Sequence, residues 1–219
     1  MTQAAASERR GLLAALAAIV VIALVLSGIA PKDRLTWWME VLPAMIALAV
    51  LFATRRSYPL TTLLYVLITL HCLVLIYGGA YTYAHVPLGF WLQDLLGTVR
   101  NPYDKIGHFM QGFVPAMIAR EIFVRGGYVR GRRMTAFLCV CAAMTVSAVY
   151  ELIEWWAALA VGEGADEFLG TQGDEWDTQS DMFMALIGSC TALVLLSRLH
   201  DRQIASLSSP GTPRSASTA

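Results

Sequence analysis

GLLAALAAIVVIALVLSGI, residues Gly11–Ile29, runs for nineteen positions without one charged side chain. A helix crossing the hydrocarbon core of a bilayer needs about 20 mostly apolar residues. This stretch meets that need, so the chain reads as an integral membrane protein. Glu8-Arg9-Arg10 precedes the run and Ser27-Gly28-Ile29-Ala30 closes it, as in a secretory signal. The run is nonetheless longer than the usual apolar region of roughly 7–15 residues, which predicts an uncleaved helix.

Further runs follow. Val41–Ala53 is preceded by Trp37 and Trp38, suited to the membrane interface, and closed by Arg55 and Arg56. Leu60–Tyr77 has His71 as its one strongly polar residue, which reads most simply as a satisfied core histidine. A Gly/Tyr/Trp-rich connection, Gly78–Tyr103, carries His85 and suits the interface. Asp104–Phe123, Thr135–Val161 and Met182–Leu199 complete the set. The expected fold is all-α: a six-helix transmembrane bundle in one domain, residues 1–205, with a disordered tail, 206–219. Composition agrees, with 57% hydrophobic and 15% charged residues against roughly 25% charged in soluble domains. Cys72, Cys139, Cys141 and Cys190 all lie in apolar runs and read as small buried hydrophobes rather than a disulfide framework.

Arginine sets the direction. With the N-terminus inside, the inner segments hold Arg9, Arg10, Arg55, Arg56, Arg120, Arg125, Arg130, Arg132, Arg133, Arg198, Arg202 and Arg214. The outer ones keep Lys32, Arg34, Arg100 and Lys105. That threefold bias predicts that both termini are cytoplasmic. The cluster from Arg125 to Arg133 is first of all a topology signal, with an anionic-lipid site as the alternative. His200, after the last span, reads as an ordinary polar position.

Ionisable groups inside a span cost about 2.5–3.5 kcal/mol each at the helix centre, and here they concentrate toward the outer leaflet. Asp104, His108 and Gln111 share one helical face by their spacing of four and three. Glu151 and Glu154 sit one turn apart, with Glu151 about 15 Å from the helix end at Val161. The loop 162–181 holds Glu163, Asp166, Glu167, Asp174, Glu175, Asp177 and Asp181, with no Lys or Arg. Asp177 and Asp181 open the sixth span.

Three helices can thus present Asp104, His108, Glu151, Glu154, Asp177 and Asp181 to one pocket. Carboxylates with an imidazole suit a divalent metal such as zinc, manganese or magnesium, with iron also compatible. The same set without metal is a proton relay or an acid/base pair. As catalytic residues, Glu151 or Glu154 would act as base, with His108 or a metal as electrophile or acid.

Asp104-Lys105-Ile106-Gly107-His108-Phe109, Tyr150-Glu151-Leu152-Ile153-Glu154-Trp155 and the stretch Gly173–Asp181 with Gly188 beyond it resemble the YjdF-type bacterial inner-membrane family. More loosely, they are similar to VanZ-like proteins. The looser pattern has Gln where Glu154 stands and Asn where Ile187 precedes Gly188. A VanZ-style influence on sensitivity to cell-wall-directed glycopeptides is not supported past those two departures. The YjdF-type resemblance implies a multi-pass bacterial inner-membrane protein and brings no reaction with it.

Three functions fit these residues. One is an enzyme at the outer face acting on a lipid or lipid-linked substrate. The second is an ion- or proton-coupled transporter, and the third is a structural protein whose carboxylates lock helices together. The inner halves of the spans hold no ionisable residue except Arg120 and Glu121, which favours a one-sided pocket. Membrane lipid, not nucleic acid, is the expected partner.

Overall fold

A computed structural model describes residues 3–162 and 172–208. These residues form seven helices and no strand: α1 (Gln3–Ile29), α2 (Arg34–Thr54), α3 (Thr62–Ala80), α4 (Pro87–Leu96), α5 (Tyr103–Gly126), α6 (Arg132–Val161) and α7 (Asp177–Ser208). Five of them, α1, α2, α3, α6 and α7, are long and apolar enough to cross a membrane. α5 has the length, at 24 residues, but His108, Gln111, Arg120 and Glu121 within it leave it less apolar than those five.

Local chemistry sets the helix ends. Asp33 caps α2 by accepting the Thr36 amide at 2.7 Å. That bond holds its carboxyl below the ordinary range. Thr61 caps α3, and Pro87 opens α4, where its missing N–H is harmless. α4 and α5 stop at Gly97 and Gly127, both left-handed at φ +66° and +65°.

The long helices run alternately up and down. Arg9, near the start of α1, donates to the Leu60 carbonyl, just before α3. Trp37 in α2 donates to Ser27 near the end of α1 at 3.0 Å. The amide of Leu63 at the start of α3 donates to Gln203 near the end of α7 at 2.9 Å. The start of α1 and the end of α7 therefore lie at the same end of the bundle. Val41, Ala44, Leu64, Val114, Met117 and Ala192 are buried in the core between the two ends.

α5 and α7 form the most extensive helix pair. A Cβ at Gly112 would fall on the Ala185 carbonyl oxygen, and one at Gly188 on that of Phe109. The two backbones touch at these glycines, as small residues allow inside membranes.

Several elements depart from expectation. The second span starts at Arg34 instead of Val41, which places Glu40 inside a helix, buried. The connection 78–103 contains α4, whose Phe90, Trp91, Leu95 and Leu96 are exposed. The last helix reaches Ser208, so residues 206–208 are helical, and 209–219 lie outside the described residues. So do Glu163, Asp166 and Glu167. Cys72 and Cys139 are buried as expected, but Cys190 is exposed.

Candidate functional site

His108 is the hub. Its position on the first turns of α5 aims the imidazole at α6 and α7, and it is 5% exposed. Its Nε2 lies 3.5 Å from Asp104 Oδ1 and 3.8 Å from Asp181 Oδ2, and its Nδ1 lies 3.6 Å from Glu151 Oε1. Gln111 Oε1 is 3.2 Å from Nδ1. Asp104, His108 and Asp181 each bring a ligand atom within 4.8 Å of the other two. Three helices thus supply three carboxylates to one buried ring.

Two expected residues stand elsewhere. Asp177 faces the cations, with Oδ1 at 2.7 Å from Lys105 Nζ and 2.6 Å from Arg100. Glu154 is half-buried a turn beyond Glu151, within electrostatic reach of His108 and Glu151 but without a hydrogen bond or ion pair among the described residues.

Lys105 is a member that spacing did not reveal, because it stands one residue from Asp104 and reads as an ordinary outer charge. Its Nζ bridges Asp177 and Asp181, the latter at 2.5 Å. Removing it by Lys105→Met leaves buried Asp181 without its ammonium partner, while Asp177 keeps Arg100 at 2.6 Å; the change costs about 3 kcal/mol, the lower end for breaking a buried pair. A thermal melt of the detergent-solubilised variant is expected to show that loss; an unchanged midpoint would refute the role.

Glu40 is the other addition. It is 6% exposed, accepts from the Tyr150 hydroxyl at 3.4 Å, and lies in electrostatic reach of Asp104 and His108. It was missed because the apolar run was started one residue after it. The loop into α7 is held by a reciprocal amide pair. Asn101 N–H donates to Gln172 Oε1 at 3.0 Å, and Gln172 Nε2 donates back to the Asn101 carbonyl at 3.1 Å.

Buried polar atoms are nearly always hydrogen-bonded, and here several are not. Asp104 Oδ2, Glu151 Oε1, Ser147 Oγ one turn before Glu151, and His71 Nε2 have no hydrogen-bond partner, although Asp104 Oδ2 lies 3.9 Å from Lys105 Nζ and Glu151 Oε1 3.6 Å from His108. His71 is therefore not the satisfied core histidine that its isolation suggested. Among the described residues, six carboxylates (Glu40, Asp104, Glu151, Glu154, Asp177 and Asp181) have Arg100, Lys105 and His108 as the cations beside them. Carboxylates therefore outnumber the cations beside them two to one.

The family described as "Predicted membrane protein (DUF2238)" matches residues 12–202. The chain belongs to this family. It is 63% identical over 181 residues to inner membrane protein YjdF of Escherichia coli (strain K12), covering 83% of this chain and 87% of that one. No solved structure matches it.

This DUF2238 protein has a second polar cluster at the opposite end of α5, where the inner halves of the spans were read as nearly free of ionisable groups. Glu121 and His200 are both fully buried, with His200 Nε2 at 2.9 Å from Glu121 Oε2. His200 is thus no ordinary polar position. Glu121 also accepts from the Thr61 amide at 3.0 Å, the Thr61 hydroxyl at 2.7 Å and Arg125 at 2.7 Å. Arg120 reaches His200 Nδ1 at 3.2 Å and Asp201 at 2.5 Å. Unlike the His108 pocket, this network leaves none of its carboxylate oxygens orphaned.

Proposed function

We propose that the protein is a six-span bacterial inner-membrane protein with both termini cytoplasmic, α5 joining the five apolar helices as the fourth span in chain order. Its His108 pocket is proposed as a divalent-metal-dependent active site, open to the outer face, for a lipid or lipid-linked substrate. Topology is supported by the alternating helices, the shared end of the two terminal helices, and the arginine excess at that end. The relative named an inner membrane protein supports the location.

One observation carries the site: a buried imidazole among Asp104, Glu151 and Asp181, with orphaned oxygens on Asp104 and Glu151. An oxygen–nitrogen–oxygen donor set of this kind suits zinc or manganese, and magnesium if water completes its shell. Such an ion would polarise a carbonyl or phosphoryl oxygen. Glu151 is placed to accept a proton beside His108, and Glu154 is available nearer the helix end. Lipid is favoured by a groove of about 790 Å³ between α1, α3 and the start of α5, lined by Leu26, Leu73, Tyr77, Tyr81, Ile106 and Met110. It gives an acyl chain a lateral seat on the same helix that carries His108.

The test is metal analysis of purified protein. Wild type is expected to hold stoichiometric divalent metal, and His108→Ala and Glu151→Gln to lose it by at least about tenfold, as loss of groups that hold or orient metal ligands does. Metal-free wild type, matched in stability by Glu151→Gln, would sink the reading.

A second reading has one observation in its favour. Buried ionisable networks at both ends of α5 are what a proton-coupled transporter needs. Val114 and Met117, fully buried between them, argue against an open path. Glu151-dependent proton flux in proteoliposomes would favour transport over chemistry.

A further inference from the structure

At the end of the bundle opposite His108, a cavity of about 760 Å³ opens between α5, α6 and α7. Its polar wall holds Arg120, Arg132, Arg133, Arg198, Thr135 and Ser197, with Asp201 as its one acid. Arg120 is already engaged by Asp201 and His200. Arg132, Arg133 and Arg198 are exposed and make no ion pair among the described residues. Two come from the first turn of α6 and the third from the last part of α7, so two helices contribute three arginines to the lining. Net charge on the lining is three positive.

α6 adds to that field. It is 30 residues long, its N-cap is Gly131, no side chain caps it and no acid stands in its first turn. Its free amides and the positive end of its dipole therefore border the same cavity. The opposite wall is apolar: Val124, Leu193, Val194 and Leu195, of which Val194 is 80% exposed and Leu195 66%. A free phosphate has no use for that wall. An acyl chain does.

We propose that this cavity is a binding site for an anionic phospholipid, with the phosphodiester held by Arg132, Arg133, Arg198 and the α6 N-terminus, and an acyl chain lying along Leu193–Leu195 of α7. Basic pockets between helices at the cytoplasmic side bind acidic head groups in this manner. The site is separate from the His108 pocket, and its occupancy does not depend on whether that pocket holds metal.

Purified full-length protein in neutral detergent is titrated with phosphatidylglycerol, phosphatidylcholine or inorganic phosphate, and binding is read by native mass spectrometry and by the shift in melting temperature. Phosphatidylglycerol is expected to bind and raise the melting temperature, while phosphatidylcholine and phosphate at equal concentration do neither. Each basic side chain contributes roughly a fivefold factor, so Arg132→Gln/Arg133→Gln/Arg198→Gln is expected to weaken binding about a hundredfold. The corresponding triple lysine variant keeps the charges and loses only the planar forks, so it is expected to stay within about fivefold of wild type. Equal binding of phosphatidylcholine, a full effect from phosphate alone, or undiminished binding by the glutamine variant would each overturn the assignment.

Discussion

Gly188→Val is expected to be among the most damaging single substitutions in this protein, lowering stability by at least about 3 kcal/mol, the upper end for overpacking a core. The reason is what the new atoms would strike. A Cβ at Gly188 lands on the Phe109 carbonyl oxygen, and a neighbouring backbone cannot rotate aside as a side chain can. α5 and α7 must separate, which also pulls Asp181 from His108 and Lys105, all near the start of those helices. Gly112→Val acts on the same seam from the other helix, through the Ala185 carbonyl. Because both strain one interface, the double variant is expected to cost less than the sum of the singles. Gly11→Val is the control, for nothing lies within 4 Å of a Cβ there. Detergent-solubilised melts read all four, and a Gly188→Val protein as stable as wild type would disprove the backbone contact.

Glu121→Ala is the second large effect, at about 3–5 kcal/mol. One carboxylate serves the Thr61 amide and hydroxyl, Arg125 and His200. Removing it strands several donors where neither water nor another acceptor replaces it, and leaves a guanidinium without its counter-charge. Glu121→Gln keeps an acceptor for Thr61 and is expected to lose less. Asp201→Asn, at a side chain 50% exposed, is expected to change stability by less than about 1 kcal/mol. If Asp201→Asn proves as harmful as Glu121→Ala, the burial assigned to Glu121 is wrong.

Much of the helical layout was legible because the signal is physical and local. A nineteen-residue uncharged run such as Gly11–Ile29 has few other uses, and periodicity put Asp104, His108 and Gln111 on one face without a partner structure. What was hidden depended on pairing across helices. Lys105 looked like a surface cation until α7 brought Asp177 and Asp181 to it. His200 looked like a polar end residue, yet Glu121, 79 positions earlier, closes over it. Neither contact leaves a trace at short range. Glu40 was legible in principle: an acid between Trp37-Trp38-Met39 and Val41 belongs to the helix once the span is started after Asp33, a good N-cap. Asp177 shows the converse limit. Its spacing from Asp181 repeats that of Asp104 from His108, but the cations beside it, not the imidazole, decide which way it faces.

The bridge made by Lys105 Nζ has a consequence for whatever the pocket admits. Two carboxylates already share an ammonium group that is tethered and cannot diffuse away. An incoming cation must therefore displace a resident competitor before it can use Asp181 fully, and on leaving it is replaced at once by the same group. Under the metal reading the lysine therefore sets a threshold: only an ion held more strongly than a tethered ammonium would stay, which favours a divalent ion over a monovalent one. Without such an ion, the same ammonium keeps the two carboxylates paired.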